Sequence, residues 1–252
     1  MSSQENLFFV SMMRSGHHAV LNWFARNQFR PIVHYNDCSI ESGALRPDPP
    51  NLVMLYNGGF SKYLLNEPLS SLHELTKDST TTIFSFEERD PEYILKAAEI
   101  ARPAKIIIVV RDALNFIASC MKHAEQYPQV KAKIIDTMSH RLNIWLSHAR
   151  ELQEGSKGNS YAINYNFWFS KRPYRDALAS RHGFANHDIG IDEVLLFGNG
   201  SSFDGLNYDA NASRMGVLKR WEEYRTNPQF CSYISPEVAE LSRSLFGIEY
   251  SE

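Results

Sequence analysis

The chain has 252 residues, of which 43% are hydrophobic and 22% charged, which is typical of a folded globular domain and excludes a disordered or fibrous chain. Lys and Arg number 26 and Asp and Glu 29, so the formal net charge is -3. No overall basic field therefore exists to hold nucleic acid or an anionic membrane, and any anion site must be local.

Cysteine usage and the first residues bear on the cellular compartment. Cys38, Cys120 and Cys231 are an odd number at wide spacings and form no CxxC pair. Residues 1–6 are polar and short, and the apolar segment that follows is too brief for a signal-peptide core or a membrane span. We therefore expect a cytoplasmic protein without a membrane span, folded as one domain over residues 1–252.

Short apolar or β-branched segments predict five β-strands. They are Leu7 to Ser11, Pro31 to Tyr35, Thr81 to Phe86, Ile106 to Val110 and, more weakly, Tyr161 to Tyr165. The fourth segment is apolar at every position, which is typical of a parallel strand covered by helices on both faces.

Helical patterns alternate with these strands. Helices are predicted after the first strand, after the capping residues Asp90 and Asp112, across Ile135 to Ala149 and from Pro236. This order predicts a single-domain α/β fold: a parallel sheet of about five strands flanked by helices, resembling a P-loop nucleotide-binding fold.

Two long connections interrupt the alternation. Residues 38–79 separate two strands by far more than the usual few residues, and we expect this insertion to cover a substrate. Residues 183–213 are rich in Gly, Asn, Asp and Ser and predict a functional loop.

The first predicted strand leads through a tight turn into a helix. Such a turn presents backbone N–H groups and the positive end of a helix dipole to an anion, and Arg14 adds a full charge. No Lys follows Gly16 and no Ser or Thr is placed to hold magnesium, so the turn is not an ATPase P-loop. The alternative is an ordinary turn with an incidental arginine.

A second arginine follows the buried fourth strand. Ser119 lies eight residues after Arg111, so at about 3.6 residues per turn the two share one helical side. A guanidinium and a hydroxyl could then bind one phosphate from two directions. The alternative is an ion pair between Arg111 and Asp112.

With these residues the sequence resembles the cytosolic-type sulfotransferases, which use 3′-phosphoadenosine 5′-phosphosulfate (PAPS). Arg14-Ser15-Gly16-His17-His18 is similar to the family's first motif, which implies the 5′-phosphosulfate loop. Arg111 and Ser119 are similar to the second motif and imply the 3′-phosphate site.

Three further matches follow in the family's order. Ser201-Ser202-Phe203 resembles a triplet near the adenine, and Tyr165 is similar to the adenine-contacting tyrosine. Arg214-Met215-Gly216, with Trp221, resembles the fourth motif and implies further contacts to the 3′-phosphate. All the matches fall between residues 7 and 230, so the resemblance covers most of the chain.

The sequence departs from the family at the sulfuryl and 3′-phosphate positions. His17 and His18 replace two threonines, and either histidine could touch the sulfuryl group. Met215 replaces a lysine, which leaves Arg111 and Arg214 to carry the charge of the 3′-phosphate site.

The family's histidine base is also replaced. The matching stretch is Ser85 to Arg89, and the resemblance implies that Glu88 or its neighbour Glu87 accepts the acceptor's proton. Counting back from Arg111 puts Glu88, or its neighbour Glu87, at the position of the base, and Glu88 is slightly preferred. Strand alternation puts Glu88 on the side of Phe84 and Phe86 and Glu87 on the opposite side, but the sequence does not decide which side faces the cleft. The alternative is a solvated charge cluster ahead of the next helix.

The resemblance implies a sulfotransferase that moves the sulfuryl group from PAPS to a hydroxyl or amine, without a metal. Arg14, Glu88, Glu87 and His18 would be catalytic, residues 38–79 would cover the acceptor and residues 183–213 would lie on the nucleotide side. A small molecule is favoured over a saccharide, because the chain lacks the basic runs that bind polyanionic glycans. The oligomeric state stays open, and the alternatives are a P-loop-type nucleotide kinase and a catalytically inactive nucleotide-binding protein.

Overall fold

The structure, a computed structural model, describes residues 5–27, 32–47, 53–57, 60–64, 81–101, 104–184, 188–194, 201 and 203–250. The strands in this part of the chain are β1 (Glu5–Ser11), β2 (Ile32–Tyr35), β3 (Cys38–Glu41), β4 (Ala44–Pro47), β5 (Val53–Asn57), β6 (Phe60–Leu64), β7 (Thr81–Glu87), β8 (Ala104–Val110) and β9 (Ser160–Asn164). The helices are α1 (His17–Arg26), α2 (Pro91–Ile100), α3 (Ala113–Gln126), α4 (Pro128–Glu154), α5 (Tyr165–Ser170), α6 (Arg172–His182), α7 (Pro228–Ser232) and α8 (Pro236–Phe246). Two short 3-10 helices span Ala212–Arg214 and Arg220–Glu223.

Seven of these strands form one sheet in the order β6-β5-β2-β7-β1-β8-β9. The five strands from β2 to β9 in that order run parallel, which confirms the predicted α/β fold. β5 and β6 extend the sheet on the β2 side as antiparallel strands, and β3 pairs with β4 in a separate hairpin. These four strands come from the insertion at 38–79, in which the sequence analysis predicted no strand.

The two faces of the sheet bury different side chains because successive residues of a strand point to opposite faces. On β1, Phe8 and Val10 belong to one apolar cluster, together with residues of α2, α3, α4 and α8. Leu7 and Phe9 belong to another, with residues of α1, α5 and α6. All five residues from Ile106 to Val110 on β8 are buried, as their uninterrupted apolar run predicted.

Polar side chains begin the helices where the sequence predicted caps. The Asp90 carboxylate accepts a hydrogen bond from the Tyr93 amide at 2.8 Å, at the start of α2. Tyr165, the last residue of the predicted fifth strand, instead begins α5, because the Asn164 side chain caps that helix and β9 ends one residue earlier than predicted. Among the described helices, none combines the length and apolarity that crossing a membrane requires.

A buried histidine on α4 makes stability depend on pH. His148 is 1% exposed and its Nε2 lies 2.9 Å from the Arg89 carbonyl oxygen. Burial lowers the pKa of this imidazole from 6.5 to about 4, against the opposing effects of the Arg89 carbonyl and Asp90. The unfolded chain therefore binds the proton more strongly, and the free energy of unfolding falls as pH drops from 6.5 towards 4.

We expect His148 to account for about 2 kcal/mol of the stability lost between pH 7 and pH 4.5. His148→Gln keeps an N–H donor for the Arg89 carbonyl and removes the titration. Its free energy of unfolding, measured in urea at both pH values, should decline less than that of the wild type by this amount. Equal declines in the two proteins would contradict the assignment.

Candidate functional site

The carboxyl ends of three neighbouring strands bring the predicted site residues to one edge of the sheet. Ser11 at the end of β1 lies opposite Glu87 on β7 and Val109 on β8, so the segments that follow β1 and β8 start side by side. A cavity of about 370 Å³ opens at this edge, within the range of ligand pockets. Ten of the sequence-predicted residues line it: Arg14, Gly16, His17, His18, Glu87, Arg111, Ser119, Tyr165, Ser201 and Met215.

The turn after β1 adopts a conformation that requires glycine. The Ser15 amide donates to the Met12 carbonyl at 3.2 Å, and both Arg14 and Gly16 have positive φ, 64° and 81°. A Cβ at Gly16 would lie 2.6 Å from the ring of Tyr165, so a side chain there is excluded on two grounds. The turn delivers the first amides of α1, which lack intrahelical acceptors, to the cavity.

Arg111 connects three segments around the cavity. Its Nη1 donates to the Arg14 carbonyl at 3.2 Å and to Ser119 Oγ at 3.3 Å, and its Nη2 donates to the Val217 carbonyl. Its Cζ lies 5.5 Å from the centroid of the Tyr165 ring. Arg111 and Ser119 therefore meet, as their eight-residue spacing predicted.

The charge of Arg111 is not balanced by its neighbour in sequence. The Asp112 carboxylate caps α3 by accepting from the Asn115 amide at 2.8 Å, and it accepts from Asn166 Nδ2 at 2.9 Å. Arg111 is 3% exposed, forms no ion pair within the described residues, and its Nε has no hydrogen-bond partner there. A buried, charged guanidinium without an ion pair is typical of a side chain that binds an anion.

Arg220 is a cavity residue that the sequence analysis missed. It is 8% exposed, and its Nη2 donates to Ser201 Oγ at 2.6 Å and to Asp204 Oδ2 at 2.5 Å. The same Nη2 lies 3.9 Å from Met215 Sδ, so a guanidinium stands beside the position where the family's lysine is replaced. Burial, with the nearby charge of Arg111, lowers the pKa of Arg220 to about 10.

Arg214, which was predicted to carry part of the positive charge of the 3′-phosphate site, lies outside the cavity. It ends the 3-10 helix Ala212–Arg214, is exposed, and does not line the cavity. Gly216 is also exposed and outside the cavity wall. The signal for Arg220 was present in the same motif, as a second arginine directly before Trp221.

Two further predicted residues, Phe203 and Ser15, do not line the cavity. The Phe203 ring lies beneath Arg220, with its centroid 4.8 Å from the guanidinium carbon. Ser15 is buried in the turn after β1. Ser202 is outside the described residues.

Glu87 and Glu88 lie in different environments. Glu87 is the last residue of β7 and lines the cavity, with its Oε1 3.4 Å from Nε2 of His17. Burial and the carboxylates of Asp37 and Glu88 raise the pKa of Glu87 to about 8, against the opposing charges of Arg14 and Arg141.

Glu88 faces away from the cavity. It has φ 55°, its amide donates to the Ser11 carbonyl at 2.9 Å, and its Oε1 lies 3.2 Å from Arg141 Nη1 on α4. Strand alternation therefore stops at Glu87, and of the two glutamates only Glu87 lines the cavity, although Glu88 was slightly preferred from the sequence.

The two histidines of the turn are packed against each other. Their ring centroids lie 3.9 Å apart, and Nε2 of His18 is 2.9 Å from Asn36 Oδ1. Burial lowers the pKa of His18 to about 4 and that of His17 well below its ordinary value, so both imidazoles are neutral near pH 7.

Three arginines thus surround one cavity. Burial lowers the pKa of Arg14 against the opposing effects of Cys120 and Glu87, and the charge of Arg111 lowers it further. Burial and then the charge of Arg111 lower the pKa of Arg220 against the opposing charge of Asp204. Like charges held this close in a partly dry site repel, and a polyanionic ligand relieves the repulsion. The site is therefore suited to a ligand that carries more than one negative group.

Comparison with known proteins identifies the fold. No protein-family model and no curated protein sequence matches the chain. Among solved structures, mouse sulfotransferase SULT7A1 complexed with PAP is similar, with 16% identity over 96% of this chain and 85% of that chain and a TM-score of 0.54. The sulfotransferase domain of the Synechococcus PCC 7002 olefin synthase is similar at 11% identity, over 97% of this chain and 96% of that one, with a TM-score of 0.53. The chain therefore has the sulfotransferase fold, and since a fold does not fix an activity, function is argued from the site.

Proposed function

We propose that the protein is a sulfotransferase that moves the sulfuryl group of PAPS to a hydroxyl or amine of a small-molecule acceptor. The observation that carries the proposal is the convergence of Arg14, Arg111 and Arg220 on one cavity at the start of α1. PAPS has negative groups at its 3′ and 5′ positions, which matches a single cavity lined by three arginines. Its bound sulfuryl group is activated, because the departing nucleotide phosphate is a stable anion.

Arg111, Ser119 and Arg220 would hold the 3′-phosphate. The Arg111 Nε is a buried donor that lacks a partner among the described residues, and Ser119 Oγ lies next to the same guanidinium. Arg220 supplies the second charge from beside Met215. Tyr165 and Ser201 line the same cavity and would frame the adenine, with Phe203 behind Arg220.

Arg14 and the amides of Ser15 to His18 would hold the 5′-phosphosulfate. Donors fixed by a folded loop stabilise charge as it develops, because they need no reorganisation during the reaction. Here they would stabilise the charge that forms on the departing phosphate. Glu87, on the cavity wall next to this turn, would accept the proton of the acceptor hydroxyl or amine in its ionised form, whose fraction grows as pH rises through about 8.

The two long connections would border different parts of this site, one beside the nucleotide and the other beside the acceptor. Ile191, Glu193, Val194, Ser201 and Ala212 of the loop at 183–213 line the cavity, which supports its predicted place beside the nucleotide. Asn36 and Asp37 also line it and lead directly into the insertion at 38–79, which would border the acceptor.

Calorimetric titration tests the nucleotide specificity. PAP (3′-phosphoadenosine 5′-phosphate) is compared with 5′-AMP and ATP, with a chelator present and no added metal. We expect PAP to bind at least about 100-fold more tightly than 5′-AMP, because charged hydrogen bonds to the 3′-phosphate contribute roughly 1.5–3 kcal/mol each. Equal affinity for the two would refute the proposal, and magnesium-dependent turnover of ATP would favour a kinase.

A further inference from the structure

We propose that His17, His18 and Glu87 form a binding site for a divalent transition-metal ion, of which Zn²⁺ is the representative. One ligand atom from each residue lies within 4.8 Å of the other two. Two imidazoles and one carboxylate are a donor set that zinc and iron sites use when they keep coordination positions open. The site goes beyond the proposed function, which uses no metal.

His17 supplies an independent observation for the site. Its side chain is 2% exposed, and its Nε2 is buried with no hydrogen-bond partner among the described residues. That nitrogen lies 3.4 Å from Glu87 Oε1. Because buried ring nitrogens are normally satisfied, an ion bound by both atoms explains why they are left facing each other.

A chain of hydrogen bonds orients His18. His34 Nε2 lies 2.9 Å from Ser85 Oγ, and that hydroxyl donates to Asn36 Oδ1 at 3.3 Å. His18 Nε2 lies 2.9 Å from the same oxygen and donates to it, since an amide oxygen only accepts. His18 Nδ1 is then the unprotonated nitrogen, and the hydrogen bond at the other nitrogen is the support that metal-bound histidines typically have.

The neighbouring charges allow a cation at this point. The metal displaces any proton on Glu87, whose carboxylate then brings one negative charge, and Asp37, whose Oδ1 accepts from the Glu87 amide at 3.1 Å, brings a second. Together they offset Arg14 in the adjoining turn. A metal bound to Glu87 withdraws electron density from the carboxylate and makes it a poor proton acceptor, so the metal-loaded protein should not transfer the sulfuryl group. This consequence rests on the proposed function, whereas the metal site itself does not.

Metal titration of the tag-free, full-length protein tests the site. After removal of metals with a chelator and of the chelator by dialysis, we expect calorimetry to give one Zn²⁺ per chain with a Kd below about 10 μM. Glu87→Gln and His17→Asn should each weaken Zn²⁺ binding by about 10-fold or more. His140→Asn, which alters an exposed histidine on α4, is the matched control and should bind Zn²⁺ as the wild type does.

Each outcome bears on the proposal. Absence of stoichiometric Zn²⁺ binding by the wild type would overturn it, as would equal affinities in all three variants. The thermal unfolding curve of each variant, followed by circular dichroism, identifies a folding defect. X-ray absorption of the wild-type zinc complex needs no variant: two imidazoles at the metal support the site, and oxygen ligands alone overturn it. If the wild-type protein binds Zn²⁺ but does not bind PAP, the proposed function is refuted and the metal site still stands.

Discussion

Arg111→Gln and Arg220→Gln should each lower the affinity for PAP by about 100-fold, whereas Arg214→Gln should change it by less than about 3-fold. Arg111 and Arg220 are buried on the cavity wall, and Arg214 is exposed outside it. The three variants make the same chemical change, at two residues of the cavity wall and at one residue outside it. Calorimetric titration with PAP measures the difference.

Titration with 5′-AMP provides the control for these variants. Because 5′-AMP lacks the 3′-phosphate, its affinity should change little in Arg111→Gln and Arg220→Gln if the fold is intact. The ratio of PAP to 5′-AMP affinity is therefore the quantity to compare. A ratio that collapses in Arg214→Gln and survives in Arg220→Gln would return the 3′-phosphate site to the residues that the motif alone indicates.

The difference between Arg214 and Arg220 illustrates where sequence reasoning stops. The motif fixes the order of its residues along the chain, but two short 3-10 helices decide which of them turn inwards. Arg214 ends the first helix and faces solvent, and Arg220 begins the second and faces the cavity. Local residue patterns do not encode that choice, because it depends on packing against Ser201 and Asp204.

The parallel strands and the turn after β1 were predictable because, unlike the position of Arg220, they follow from local residue patterns. The strands carry continuous apolar runs, and the turn needs Gly16 for its positive φ. The spacing of Arg111 and Ser119 follows from helix geometry alone. β5 was not predictable in this way, because its place in the sheet depends on antiparallel pairing with β2, in which Tyr35 lies opposite Val53.

Glu87 and Glu88 show a similar limit at the scale of one residue. Alternation along β7 is a reliable guide only while the strand continues. Glu88 leaves the strand with a positive φ, and its amide bonds to the Ser11 carbonyl of β1. The long-range hydrogen bond, which no local pattern reveals, directs its side chain to Arg141 on α4.

Glu87→Gln should lower kcat for sulfuryl transfer by about 100-fold or more, with the affinity for PAP unchanged within about 3-fold. Glutamine keeps the size and polarity of the side chain but cannot accept the acceptor's proton. The measurement is transfer of labelled sulfate from PAPS to the best acceptor among a panel of small phenols, alcohols and amines. It is made without added metal, so that occupancy of the site at His17, His18 and Glu87 does not contribute.

Glu88→Gln is the matched control, because it makes the same change at the adjacent residue. Its kcat should stay within a few-fold of the wild type, while the free energy of unfolding falls by roughly 1–3 kcal/mol because the half-buried pair with Arg141 is broken. Urea unfolding measures that loss. If Glu88 is the base, the result is reversed: Glu88→Gln would abolish sulfuryl transfer and Glu87→Gln would retain it. The cavity wall would then have to rearrange when the acceptor binds.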